Sequence, residues 1–198
     1  LPKRFFSRTN SKAPNCSFHV LINRMKQTFV ATAVRAGKES NNPATAIVDG
    51  QTVIYTGAGR GTKAVKVEKQ GDGFVANELW SNAELAPQFN TPVLRDGLLF
   101  GLSNGNNLYC INAQTGRTAW TDATARSSRG FGSIVGAGSC LALLTNDSEL
   151  IVFKPSYKEY SELAKIKVSE TPIYAYPVIA GNRIFIKDQD AVTMFAIN

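Results

Sequence analysis

A short apolar run ending in a turn glycine recurs four times, at Ile47-Val48-Asp49-Gly50, Val93-Leu94-Arg95-Asp96-Gly97, Ile134-Val135-Gly136-Ala137-Gly138 and Val178-Ile179-Ala180-Gly181. The glycines stand 47, 41 and 43 residues apart. A second apolar run follows each: Val53-Ile54-Tyr55, Leu98-Leu99-Phe100, Leu141-Ala142-Leu143-Leu144 and Ile184-Phe185-Ile186. Third runs open at Ala64, Leu108, Leu150 and Val192, and Trp80, Trp120 and Leu163 close the first three units. A period of about 40–50 residues with about four short strands is the pattern of propeller blades. One such sheet cannot bury both of its faces, so the units must stack face to face around an axis.

Asn90 to Trp120 spells out one whole unit. Asp96-Gly97 supplies the two positive φ values of a type I′ hairpin turn between Val93–Arg95 and Leu98–Leu102. Ser103 to Asn107, containing Asn104-Gly105, turns the chain again toward Leu108–Ile111, and Gln114-Thr115-Gly116 turns it toward Arg117–Trp120. Three turn signals at hairpin spacing, with no helical period between them, describe an antiparallel meander.

The segment Tyr109-Cys110-Ile111-Asn112-Ala113-Gln114-Thr115-Gly116-Arg117-Thr118-Ala119-Trp120 resembles the tryptophan-docking repeat of pyrroloquinoline-quinone-type propellers. That repeat reads roughly Leu-Tyr-Ala-Leu-Asp-x-x-Thr-Gly-Lys-x-x-Trp; Cys110 and Asn112 replace its usual Ala and Asp. The resemblance spans residues 43–198 at the level of repeats. It is sharp in the second unit, partial in the first, where Trp80 lacks a Thr-Gly, and degenerate in the others. It implies a structural docking motif of Thr115, Gly116, Trp120 and Trp80, with each indole packed between neighbouring blades against a Thr-Gly peptide. It also implies an extracytoplasmic location, periplasmic or in the cell envelope, as for the propeller lipoprotein of outer-membrane assembly.

The net charge of +7 is unevenly placed. Residues 1–38 hold eight basic and no acidic side chains, whereas residues 39–198 hold 14 basic and 15 acidic ones, a net of −1. A basic arm with Phe5, Phe6 and Phe18 has the chemistry to meet nucleic acid or an anionic membrane. The plainer reading is a leader outside the fold, so no nucleic-acid partner is expected. Within it, Ser17 to Val34 has partial alternation and is a candidate to supply the strand that the fourth unit lacks; Ala36 to Pro43 reads as a linker. The organisation expected is a leader and linker at 1–42, poorly ordered or supplying a strand, and repeats at 43–198, with blades at about 43–80, 88–120, 127–167 and 172–198. No apolar run approaches the length of about 20 residues that a membrane helix needs.

Several motifs imitate catalytic ones. Gly101-Leu102-Ser103-Asn104-Gly105 matches a nucleophile elbow, but such an elbow needs a strand feeding a helix and a histidine nearby, and the single histidine, His19, lies in the leader. Gly57-Ala58-Gly59-Arg60-Gly61 has neither dinucleotide-binding nor P-loop spacing. Asp188-Gln189-Asp190 lacks the third acid and distal Glu of a calcium loop and reads as a turn. Cys16, Cys110 and Cys140 contain no Cys-x-x-Cys, and their odd number argues against a disulfide framework. Asn15-Cys16-Ser17 and Asn146-Asp147-Ser148 are glycosylation sequons. Arg126 to Gly132 reads as a flexible basic loop, and Pro155 to Leu163 has room for one helical turn.

Quinoprotein dehydrogenases, as a family, hold quinone and calcium on the axis of an eight-bladed ring, with an Asp base and commonly a disulfide of adjacent cysteines. This chain has no adjacent cysteine pair and no acid cluster that maps onto such a site. The expectation is an all-β, quinoprotein-like propeller of about four four-stranded antiparallel blades, a partial propeller and the C-terminal half of a longer one. Catalytic, cofactor and metal residues are expected to be none, and pyrroloquinoline quinone and calcium are not expected as cofactors. The function expected is a scaffold binding a protein, or a glycan, through blade-end loops, with self-association if the propeller is incomplete. The alternative is a fragment of a quinone- and calcium-dependent dehydrogenase.

Overall fold

The computed structural model describes residues 44–57, 59–87 and 89–196, all within the second of two units, Asn42–Asn198. The leader, its candidate strand at 17–34, His19, Cys16 and the 36–43 linker lie outside the described residues. Fifteen strands fall into four antiparallel sheets, each a meander in chain order. The first holds β1 (Ile47–Asp49), β2 (Thr52–Gly57), β3 (Gly61–Gln70) and β4 (Gly73–Asn82). The second holds β5 (Val93–Arg95), β6 (Leu98–Leu102), β7 (Asn107–Asn112) and β8 (Thr118–Ala125). The third holds β9 (Gly132–Ala137), β10 (Cys140–Thr145), β11 (Glu149–Phe153) and β12 (Glu162–Lys167). The fourth has β13 (Val178–Ala180), β14 (Arg183–Lys187) and β15 (Val192–Ala196).

Three apolar layers glue the sheets together in chain order. Ile54, Ala64 and Trp80 of the first sheet meet Leu99, Tyr109 and Ile111 of the second. Phe100, Leu102, Leu108 and Cys110 meet Ile134, Leu141, Leu143, Ile151 and Phe153 of the third. Ala142, Leu144 and Leu150 meet Ile184 and Ile186 of the fourth. Because successive side chains point to opposite faces, Leu99 serves one layer and Phe100 the other, and both are fully buried. A sheet covered on both faces reads as an unbroken apolar run instead of an alternating one, which is the reason for Leu98-Leu99-Phe100 and Leu141-Ala142-Leu143-Leu144. Burial also pushes the Cys110 thiol up to about 12, so this cysteine acts as a small hydrophobe. Cys110 and Cys140 are both free.

Turn chemistry sets the register. Asp96 and Gly97 both have positive φ, 51° and 74°, as a type I′ turn requires. The next turn lies between β6 and β7, within the expected Ser103–Asn107, and its left-handed residue is Asn106 (φ 69°). Asn106 N–H donates to the Ser103 carbonyl at 2.9 Å, and Ser103 N–H to the Asn107 carbonyl. The result is a wider loop with a single left-handed residue at its end. The 155–163 segment holds no helical turn; it bends, with Lys154 N–H donating to the Ser161 carbonyl at 2.9 Å. No helix occurs among the described residues.

Replacing Phe100, fully buried between the second and third sheets, by Ala is expected to cost about 3–5 kcal/mol of unfolding free energy in urea. Leu163→Ala, at a side chain 54% exposed, is expected to stay within about 0.5 kcal/mol of the parent.

Candidate functional site at the connector end

The four sheets are propeller blades: each begins with an inner strand, and a connector returns from the outer strand to the next inner one. Two structural systems hold blade to blade, one at the outer strands and one at the connectors.

At the outer strands, tryptophans reach across the gap. The Trp80 indole N–H donates to the Ala113 carbonyl of the second blade at 2.9 Å. Its ring lies on Gly116, where an added Cβ would stand 2.6 Å from the indole carbons. Trp120 repeats the move into the third blade, its N–H donating to the Ser156 carbonyl at 2.8 Å while its ring faces Phe100 and Tyr160. Thr115 sits in the receiving turn: Asn112 Oδ1 accepts from the Gln114 and Thr115 N–H groups, each at 3.0 Å. Asn112 thus fills the turn-building place of the Asp usual in the repeat. Asn82 was not singled out in the sequence, yet its amide donates to the Gly116 carbonyl at 2.9 Å and to Thr118 Oγ1 at 3.0 Å.

At the connector end, Phe89, Phe131 and Tyr174 stand at one repeat position, six residues before Arg95, Ala137 and Ala180, which end their inner strands. Phe89 stacks on Phe131, with centroids 4.2 Å apart and planes 8° apart. Tyr174 meets Phe131 edge-on at 5.3 Å. Arg129 Nη1 donates to the Tyr174 hydroxyl at 3.5 Å. Two residues further along each connector, Thr91 Oγ1 accepts from Thr45 N–H at 2.9 Å, and Thr91 N–H donates to the Tyr176 hydroxyl at 3.1 Å. The second contact joins the second and fourth blades past the third, so it lies on the axial side.

The 126–132 loop, expected to be flexible, is tied down. Ser127 Oγ bridges the Phe131 carbonyl and the Asn146 carboxamide oxygen. Ser128 donates to the Asp147 carboxylate through its N–H at 2.7 Å and its hydroxyl at 2.5 Å. Arg126 pairs with Asp122 at 2.5 Å and Glu162 at 2.9 Å, and its guanidinium lies 4.6 Å from the centre of the Tyr160 ring.

The imitative motifs resolve into architecture. Gly101 pairs with Tyr109 across β6 and β7, and a Cβ there would stand 2.3 Å from the tyrosine ring. Ser103 is buried in the following turn, its Oγ accepting from Asn107 N–H at 3.2 Å. Gly57 and Gly61 pair at the ends of β2 and β3. Asn146 is 3% exposed with its carboxamide engaged, so the second sequon is closed to glycosylation. Asp188 Oδ1 accepts from the N–H groups of Asp190 and Ala191, and Oδ2 from the Ser169 hydroxyl. Among the described residues no three His, Cys, Asp or Glu side chains gather into a metal set. No described helix is long and apolar enough to cross a membrane.

Comparison with known proteins agrees with the fold. No family model and no curated protein matches the chain. Among solved structures, BamB from Moraxella catarrhalis aligns at a TM-score of 0.61 and 13% identity, over 78% of this chain and 43% of that one. The computationally designed Ika4 protein aligns at 0.59 and 10% identity, over 82% and 94%. The beta-propeller domain of Cps50 (Swd1) from Myceliophteria thermophila aligns at 0.51 and 12% identity, over 75% and 52%. The chain thus spans less than half the length of the Moraxella protein, and these identities establish the β-propeller fold alone.

Gly116→Ala is expected to destabilise the protein by about 3 kcal/mol or more, since it combines left-handed strain at φ 71° with a clash against Trp80. Gly50→Ala, left-handed at φ 58° but with open space around it, is expected to cost only about 1–2 kcal/mol. Urea denaturation of both variants checks the difference.

Hydrogen bonds from Ala191 N–H, then from Ser169 and Asp190, hold the Asp188 carboxyl below its ordinary pKa. A depressed folded-state pKa stabilises above the unfolded value, and that stabilisation is lost as pH falls through the folded one. The stability difference between the parent and Asp188→Asn is therefore expected to be flat near neutrality and to shrink below about pH 4, followed by thermal melts across the acid range.

Proposed function

We propose that the chain is a non-catalytic propeller scaffold that binds a protein partner through its connector end. The observation that carries this reading is the Phe89–Phe131–Tyr174 cluster with Arg129 beside it. Phe89 and Phe131 are half-buried, and Tyr174 and Tyr176 are 51% and 47% exposed. Aromatic and Arg side chains are the residues that dominate protein interfaces, and a pinned loop presents them with little ordering cost on binding. Sugar rings also stack on aromatic side chains, so a glycan partner is the neighbouring possibility within the same reading.

The finer placement we propose is among the quinoprotein-like propellers, in a branch that works without quinone or calcium, outside the cytoplasm. The repeated indole-to-carbonyl docking of Trp80 and Trp120 supports the first part. The second is supported by Tyr176, whose side chain spans from the fourth blade to Thr91 on the axial side, where the family places its cofactor. The location rests on the resemblance of the repeat. Nucleic acid is outside the reading, because residues 39–198 are close to neutral overall.

Affinity capture with the full chain, using cross-linking in extracts of cells that make it, tests the scaffold. Phe131→Ser combined with Tyr174→Ser is expected to lower recovery of the captured protein at least tenfold, as for an interface anchor worth about 2 kcal/mol. Leu163→Ser combined with Ile166→Ser, on the exposed outer strand β12, is expected to leave recovery unchanged. The same proteins recovered at the same level with the connector variant would reject the reading.

A further inference from the structure

We infer that the connector end recognises an extended peptide through an acidic side chain, which Arg129 and Tyr174 grip together while an apolar side chain two places along the peptide rests on Phe131. This inference rests on the protein-binding reading above and names the chemistry of the partner.

Arg126 is spent inside the fold, between Asp122 and Glu162 and over the Tyr160 ring. Arg129, three residues on, is exposed and takes part in no ion pair among the described residues. Asp147, on the loop that ties down Ser128, accepts both the N–H and the hydroxyl of that serine. A guanidinium carries five N–H donors and no acceptor, and Arg129 uses one of them, at 3.5 Å, on the Tyr174 hydroxyl oxygen. That contact leaves the Tyr174 O–H free to donate.

Two donors of different kinds therefore stand side by side on the surface, a guanidinium edge and a phenol O–H. A carboxylate accepts from both at once, and hydrogen bonds to an ionised acceptor are the strong ones. Their setting supplies the second half of the recognition. Tyr174 is held edge-on by Phe131, which is itself stacked on Phe89, so the donors are mounted on an apolar, fixed base. In an extended peptide the residue two places from the acid presents its side chain on the same face, about 6–7 Å along the chain, and so lies within reach of that base. A basic or purely apolar peptide would leave the donors unsatisfied.

Selection of a random-heptamer phage library on the immobilised full chain reads this directly. Asp or Glu two places from an aromatic or aliphatic residue is expected to be enriched on the parent. Arg129→Gln is expected to abolish enrichment of the acid while Phe-dependent apolar enrichment persists. Tyr174→Phe, which keeps the ring and removes the O–H, is expected to weaken binding of the selected peptides about tenfold. Fluorescence polarisation with the top selected peptide, and with its Asp→Asn or Glu→Gln copy, gives the affinities. Enrichment without acids, no enrichment at all, or an unchanged selection on Arg129→Gln would overturn the inference. If affinity capture depends on Phe131 but these outcomes occur, the scaffold reading stands and only the acidic chemistry falls.

Discussion

Every middle blade must have both of its faces covered, and this requirement shapes the chain from residue to residue. Leu99 and Phe100 are neighbours in sequence, fully buried, and belong to different interblade layers. Neither layer closes unless the next blade lies parallel and close. The Phe100–Phe153 ring contact, with centroids 6.1 Å apart, joins the second blade to the third, and Trp120 of the second blade backs Phe100 at the same centroid distance. Short strands without helices are the natural means to build such a stack, since a meander returns each face to its neighbour with the least connecting chain.

The blade pattern was legible because its turns carry their own chemistry. Asp96-Gly97 announced a left-handed pair and formed one. The glycines nonetheless misstate the register by one residue. Gly50, Gly138 and Gly181 directly follow their inner strands, whereas Gly97 is second in its turn, after Asp96. Counted from strand ends, Asp49, Arg95, Ala137 and Ala180, the repeat is 46, 42 and 43 residues. The turn after β6 falls at Ser103–Asn107 as its composition suggested, and its left-handed residue, Asn106, is set by hydrogen bonds of Ser103 and Asn107 that flank the Asn104-Gly105 pair.

The candidate site was hidden by this slip and by distance along the chain. Aligned on the glycines, Phe89 falls one place out of step with Phe131 and Tyr174; aligned on strand ends, the three coincide. The rigidity of the 126–132 loop depends on Asn146 and Asp147, nineteen residues away from Ser127 and Ser128. The axial contact joins Thr91 to Tyr176 across a separation of 85 residues. No local pattern encodes such pairings. The docking tryptophans were visible through the repeat motif; their carbonyl partners recur at similar spacing, 33 residues from Trp80 to Ala113 and 36 from Trp120 to Ser156, whereas the glycine under the ring is found at Trp80 and not repeated at Trp120.

The two systems divide the work between scaffold and surface. Docking at the outer strands runs through backbone carbonyls and a glycine, groups that tolerate change in most neighbouring side chains but not in the indole or in the glycine itself. The connector end relies on side chains, so its chemistry is set by the residues placed there. The fourth blade shows where the packing system stops among the described residues. Its outer row Val178–Phe185–Met194 stands at the positions of Val93–Phe100–Cys110, which the second blade turns toward the third. Yet Val178 is 60% and Met194 51% exposed. One covered face, through Ile184 and Ile186, holds this blade where two hold its neighbours. Among the described residues it thus has fewer interblade apolar contacts than the second and third blades. Tyr176, on the connector that leads into it, reaches past the third blade to Thr91, so the axial contact ties this blade to one covered on both faces.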